Sequence, residues 1–213
     1  MANRRTEQAL DWDIDETKVL TNRQRQRLRR SCQRYREKAL KAGRRTEIKD
    51  WFVVCLGLET GLRVQEMALL KVEDLRITDG HRSVRVKRGK GGQARTVYVR
   101  QAFVEMAADF LAWKKEQGES ISDDTPVFST RGQSMTTRGL QKSYDRSRKR
   151  AGVVQQFGVG IHSLRHTFAT CLLAATGNLR FVQRQLGHAS VRTTEIYSHI
   201  LDALNLIEKI YAK

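Results

Sequence analysis

Among 213 residues there is one proline, Pro126, and three cysteines, and the 23 aspartates and glutamates fall far short of the 40 lysines and arginines. Each shortage excludes something. Cys32, Cys55 and Cys171 are odd in number, far apart and flanked by apolar residues, so they form neither a disulfide framework nor a zinc knuckle. They read as reduced residues in or near a core. No apolar run approaches the ~18 residues needed to span a bilayer. The N-terminus, MANRRTEQALDWDIDE, is acidic where a secretory leader is apolar. Neither membrane insertion nor secretion is expected, and a cytoplasmic, nucleoid-associated location is. Internal repeats and a long low-complexity linker are also missing.

The acidic deficit leaves a net charge of +17, more than colloidal stability requires, which points to a polyanionic partner. With 39% apolar residues the chain can bury a substantial core, so it is no disordered basic tail. The charge is concentrated: residues 21–50 hold twelve basic and three acidic residues, residues 82–100 seven and none, and residues 138–150 six and one. A single such run is usually a solvated face. Three runs brought to one side of a fold make the electrostatic footprint of double-stranded DNA.

Periodicity places these runs. Thr21 with Gln24 is a capping-box start, and Leu28, Cys32, Tyr35 and Ala39 follow at helical spacing until Gly43. Residues 46–59, TEIKDWFVVCLGLE, are apolar on nearly all sides and predict a central helix. Gly61 ends it, and LRVQEMALLK begins another. Val84, Val86, Val97 and Val99 alternate with polar residues around GKGGQ, as in a β-hairpin. A helix near 102–117, a PVF strand at 126–128, a basic helix from about 137 to 151 and three or four short helices from His162 onward complete the pattern. The expected fold is mainly α with a small antiparallel β-sheet, one domain over 21–213 preceded by an acidic tail at 1–20.

Three segments carry the chemistry: TGLRVQE at 60–66, HSLRHTFAT at 162–170 and LGHASVRTTEIYSH at 186–199. Together with the GKG turn they resemble the catalytic domain of the tyrosine recombinases, or phage integrases. That family combines an Arg in a TGLR-type segment, a hairpin Lys, a His-x-x-Arg pair, a His or Trp after Leu-Gly, and a Tyr nucleophile nine residues later. Arg63, Lys90, His162, Arg165, His188 and Tyr197 match it in order. As a set the motifs are highly specific, although TGLR or HxxR alone would mean little. The resemblance implies cleavage and rejoining of DNA through a 3′-phosphotyrosyl intermediate, with no cofactor.

These residue types suit that chemistry. Attack on a phosphodiester gathers charge on the non-bridging oxygens, and the planar, permanently charged forks of Arg63 and Arg165 can clamp them. Arg63 lies near a predicted helix start that also favours an anion. Glu66, three residues on, can instead pair with Arg63 or orient it. His162 shares a helix face with Arg165 and can help handle the nucleophile's proton, while His188 can hydrogen-bond a non-bridging oxygen. His166 reads as structural or supporting. Lys90, at a Gly-rich tip, suits a general acid for the departing 5′-oxygen, although Lys87, Arg88 and Arg95 are neighbours able to exchange roles. Tyr197 is the nucleophile; Tyr35 and Tyr211 fall on apolar helix faces. No Asp/Glu or His/Asp spacing suits Mg²⁺ or Zn²⁺ outside the tail with Asp11, Asp13, Asp15 and Glu16.

DNA contacts are expected from Arg88 and Arg95 and, on the basic helix, from Arg138, Gln141, Lys142, Arg146 and Arg148, mostly to the backbone. Most family members carry a separate helical core-binding domain ahead of the catalytic one. Here 20 residues precede Thr21, as in a short recombinase or the catalytic piece of a longer one. The C-terminal LDALNLIEKIYAK is amphipathic, a helix near 200–212 that packs on its own domain or docks into a neighbouring subunit. A homotetramer on paired sites and a monomer or weak dimer free in solution follow from trans docking. Two alternatives stay open: a DNA-relaxing enzyme that rejoins the original partner, and a DNA-binding regulator without chemistry.

Overall fold

The computed structural model describes residues 18–78, 80–87, 94–130, 132–154, 160–188, 194–195 and 197–198. Residues 1–17 of the acidic tail, the GKG turn with Arg88 and Lys90, and the helix expected near 200–212 lie outside these residues. The described part is mostly helical with a small antiparallel sheet, as expected.

Helix α1 (Asn22–Lys41) opens with the capping box foreseen at Thr21 and Gln24: each side chain accepts from the other's backbone N–H. Its buried stripe is Leu28, Cys32 and Ala39. Helix α2 (Thr46–Thr60) is buried on nearly every side and forms the axis on which α1, α4 (Gln101–Glu116), α5 (Thr137–Arg150) and α6 (His162–Thr176) pack. At its middle Phe52 stacks on Phe110 at 4.2 Å and meets Phe103 and Phe128. This cluster concentrates much of the chain's small aromatic content in one place.

Two acids are buried in α2, and each draws basic helices onto it. Asp50 accepts from Arg146 at 2.6 and 2.9 Å and from Arg150 at 3.0 Å, both on α5. Glu59 accepts two bonds of 2.7 Å from Arg100, and Arg29 of α1 also donates to it. Part of the basic excess therefore holds the fold together rather than facing a partner.

Strands β1 (Leu75–Arg76), β2 (Ser83–Val86) and β3 (Arg95–Tyr98) form the main sheet in that order, with Val84 opposite Val97 and Val86 opposite Arg95. Val99 falls just past β3 and packs half-buried on the core. The helix expected from LRVQEMALLK is short, α3 (Val64–Ala68), because the chain then bridges Lys71 to Pro126. That single bridge replaces the expected PVF strand: Val127 and Phe128 are core plugs, and the strand pair β4 (Ser129–Thr130) and β5 (Gln133–Ser134) comes later. Helix α6 is longer than the short segments expected beyond His162, and α7 (Leu179–Leu186) follows it. Among the described residues no helix is long and apolar enough to cross a membrane, and no three His, Cys, Asp or Glu side chains group as metal ligands.

Candidate active site

The site forms where α2 ends against α6. Gly61 closes α2 in the left-handed region at φ 59°, and a side chain there would put Cβ 2.4 Å from Phe168 Cδ1. A Cβ is thus excluded twice, by conformation and by contact. The turn sends Arg63 to the N-cap of α3. Arg165, 5% exposed, donates from Nη1 to the Gly61 carbonyl at 2.6 Å and from Nη2 to the Leu186 carbonyl at 2.8 Å. One guanidinium therefore ties the end of α2 to the end of α7.

Glu66 organises the opposite edge. It accepts from the Arg63 N–H at 2.8 Å and Arg63 Nη1 at 3.1 Å, and both its oxygens accept from Arg95 at 2.7 and 2.8 Å. Burial alone would raise its pKa, but Arg95, the Arg63 N–H and Arg165 hold the carboxyl below the usual range. At this helix start the Arg63 N–H is thus already taken by Glu66, and the Arg63–Glu66 pair that the spacing allows is present. Arg95, with a side chain only 9% exposed, is a buried strut rather than a DNA contact. It also donates from Nε to the Gln185 carbonyl at 3.0 Å, while Gln185 Oε1 accepts from the Tyr98 N–H. Strand β3 and helix α7 are therefore in register with Glu66.

Helix α7 ends at Gly187 (φ 64°), where a Cβ would fall 2.6 Å from Arg95 Cδ. His188 follows directly. Its Nδ1 pairs with Thr194 Oγ1 at 2.9 Å, and its ring lies nearly parallel to that of Tyr197, 6.4 Å between centroids. Tyr197 is 1% exposed, packed with Ala169, Leu173, Val182 and Leu186, and its hydroxyl pairs with His166 Nδ1 at 3.1 Å.

The electrostatics bind these groups together. Burial and then Arg63 pull the Arg165 pKa down to about 9, so it stays charged at neutral pH. Burial raises the Tyr197 phenol, with Arg165 and Arg63 opposing. His188 is drawn down to about 3 and His166 to about 4, first by burial and then by Arg165. His162 opens α6 at the rim. Much of its surface is exposed, yet the surrounding protein, then Arg165 and Arg63, also lower its pKa. At neutral pH the site has charged arginines and neutral imidazoles around a protonated phenol.

The structure thus brings together Arg63, His162, Arg165, His188 and Tyr197 from three separate segments. Lys90 lies outside the described residues. The sequence points to His162 for the phenol's proton, with His166 supporting, whereas the hydroxyl is bonded to His166. The signal was present: His166 stands four residues beyond His162, one helical turn along the same face. On α5, Arg138 and Lys142 are exposed, but Arg146 is clamped by Asp50, Arg148 donates to the Val153 carbonyl at 3.1 Å, and Gln141 accepts from the Ile161 N–H at 3.0 Å. Those three are engaged in fixing helix and loop, which spacing could not reveal.

Residues 18–203 match the model of the phage integrase family, and the chain belongs to that family. A tyrosine recombinase XerC from Thermodesulfovibrio yellowstonii is 37% identical over 169 residues, covering 78% of this chain and 54% of that protein. The crystal structure of XerA recombinase superposes with a TM-score of 0.71 at 28% identity, covering 92% of this chain and 65% of that one. The XerH site-specific recombinase, bound to palindromic difH substrate in a post-cleavage complex, gives 0.72 at 26% identity over 92% of this chain and 53% of that one. The chain spans about half the length of the curated relatives it matches.

Proposed function

We propose that this chain is the catalytic domain of a site-specific tyrosine recombinase, spanning residues 21–213, that cuts and rejoins double-stranded DNA in the cytoplasm, associated with the nucleoid. The observation that carries this reading is a buried phenol, Tyr197, that packs with Leu186 and pairs with His166 Nδ1 at 3.1 Å, beside Arg165, which holds the Leu186 carbonyl. A noncatalytic DNA binder has no need of that arrangement. The chemistry runs as follows: the Tyr197 Oη–P bond forms as the P–O5′ bond breaks, the phenol proton is shared with a neighbouring imidazole and passes to water, and the 5′-oxygen gains a proton from Lys90. Arg63 and Arg165 hold the non-bridging oxygens as their charge grows. With Nδ1 paired to Thr194 Oγ1, His188 has Nε2 left to hydrogen-bond the same phosphate. Arg138 and Lys142 on the exposed face of α5 contact the duplex.

The test is incubation of the full chain in EDTA with a pool of nicked duplexes of randomised sequence, followed by recovery of detergent-resistant adducts. Covalent protein–DNA species enriched in one sequence support the reading. Gel shift without adduct favours the DNA-binding regulator, and sequence-indifferent relaxation of supercoiled plasmid favours a relaxing enzyme.

For Lys90, replacing the leaving 5′-oxygen of the selected duplex with sulfur, a far better leaving group, is expected to rescue Lys90→Ala but not Arg165→Ala. Equal rescue of both removes the general-acid role.

Assembly is part of the same reading. Strand exchange between two duplexes needs four active sites, and the amphipathic C-terminal segment, tethered close to Tyr197, is suited to dock on a neighbouring subunit. A tetramer on paired sites and a monomer or weak dimer alone are expected by analytical ultracentrifugation. Full tetramers from a chain lacking residues 201–213 would refute trans docking.

A further inference from the structure

Tyr197 is buried and protonated, so its hydroxyl hydrogen needs an acceptor. Among the described residues the hydroxyl's hydrogen-bond partner is His166 Nδ1, at 3.1 Å. His166 sits inside α6, between the turn that carries Arg165 and the apolar side of the helix, so its ring position is set by the helix rather than by a loop. The two rings lie 6.1 Å apart and tilted by 42°, which brings Nδ1 to the phenol's edge without stacking on it.

We propose that His166 is the positioning residue for the nucleophile. In this role its neutral imidazole accepts the Tyr197 hydroxyl at Nδ1, turning the hydrogen away from the phosphate and leaving an oxygen lone pair open toward phosphorus. The opposite polarity, with Nδ1 donating, would leave the phenol hydrogen without a partner and block that lone pair. Burial and Arg165 keep the imidazole neutral at pH 7 by drawing it to about 4, so it does not add a positive charge beside Arg165. The same depression makes full proton transfer from a phenol strongly uphill. His166 therefore orients the hydroxyl and begins to share its proton as the Oη–P bond forms. The inference rests on the recombinase reading and adds to it a residue outside the six-residue set.

The test pairs a measurement on the free chain with one on cleavage. In ¹⁵N-histidine-labelled full-length protein, His166 is expected as the tautomer with an unprotonated Nδ1 and a protonated Nε2; a protonated Nδ1 overturns the proposal. On the duplex recovered by adduct selection, His166→Asn places an amide oxygen near the Nδ1 position and is expected to keep the single-turnover rate within about threefold. His166→Leu fills similar space without an acceptor. Its rate at saturating DNA is expected to fall about tenfold to a hundredfold with half-saturation unchanged, as for a hydrogen bond lost at a reacting atom. Equal losses in both variants accompanied by weaker DNA binding would mark a packing role and overturn it. A faster His166→Leu variant would also overturn it and make the contact a latch on Tyr197. A wild type that forms no adduct overturns the recombinase reading and the role with it, whereas a normal wild type with an unaffected His166→Leu variant overturns the positioning role alone.

Discussion

Replacing Tyr197 with phenylalanine is expected to abolish the covalent protein–DNA adduct while leaving affinity for a single duplex within a few fold. In the proposed mechanism the hydroxyl is the nucleophile and contributes almost nothing to phosphate binding, which falls to the arginines and lysines. The fold should tolerate the change. The phenyl ring keeps its contacts with Ala169, Leu173, Val182 and Leu186, and the loss is one hydrogen bond to His166, about 1 kcal/mol. Single-turnover cleavage, gel shift and thermal unfolding of the same preparation separate these effects. An adduct that persists would move the nucleophile elsewhere. Tyr211 would be tested before Tyr35, whose ring faces the guanidinium groups of Arg34 and Arg150 at 5.5 and 5.2 Å.

Arg165→Ala is expected to lower cleavage by about a hundredfold or more and to destabilise the domain as well. Arg63→Ala should cost as much in cleavage with little effect on stability. The difference comes from what each guanidinium holds. Arg165 bonds the Gly61 and Leu186 carbonyls from a buried position, so its removal leaves both acceptors without that donor, at about 1–3 kcal/mol each. Arg63 is more exposed, and its side-chain partner among the described residues, Glu66, keeps Arg95. Arg165→Lys should not restore activity, since an ammonium cannot bridge two carbonyls and still present a flat fork to phosphate. Rapid-quench rates on the selected duplex, set beside melting temperatures, check the contrast. Losses below about tenfold for both Arg63→Ala and Arg165→Ala would remove the phosphate clamp from the mechanism.

The α5 arginines show where linear reading stops. Arg138, Lys142, Arg146 and Arg148 look equivalent as a string of basic residues, yet Arg146 closes on Asp50, which comes from a segment nearly a hundred residues earlier. Arg95 belongs to the basic hairpin in the chain and to the Glu66 strut in space. Charge counted along a sequence cannot distinguish a cation facing solvent from one neutralised by a distant acid. That distinction lies in burial, and burial is a property of the folded chain.

The sequence by itself determined what depends on neighbours along the chain. The α1 cap, the apolar α2, the glycine that ends it, and the spacings inside each motif that carries Arg63, His162, Arg165, His188 or Tyr197 are local patterns of residue types, and helix and turn geometry act over just such distances. Only the tertiary structure decided which groups meet. It turned Arg95 inward to Glu66, tied the ends of α2 and α7 through Arg165, and gave the Tyr197 hydroxyl to His166 rather than His162. Each of these contacts joins segments far apart in the chain. Each is selected by the need of a buried polar group to find a partner once water is excluded, a requirement that does not exist until the core has closed.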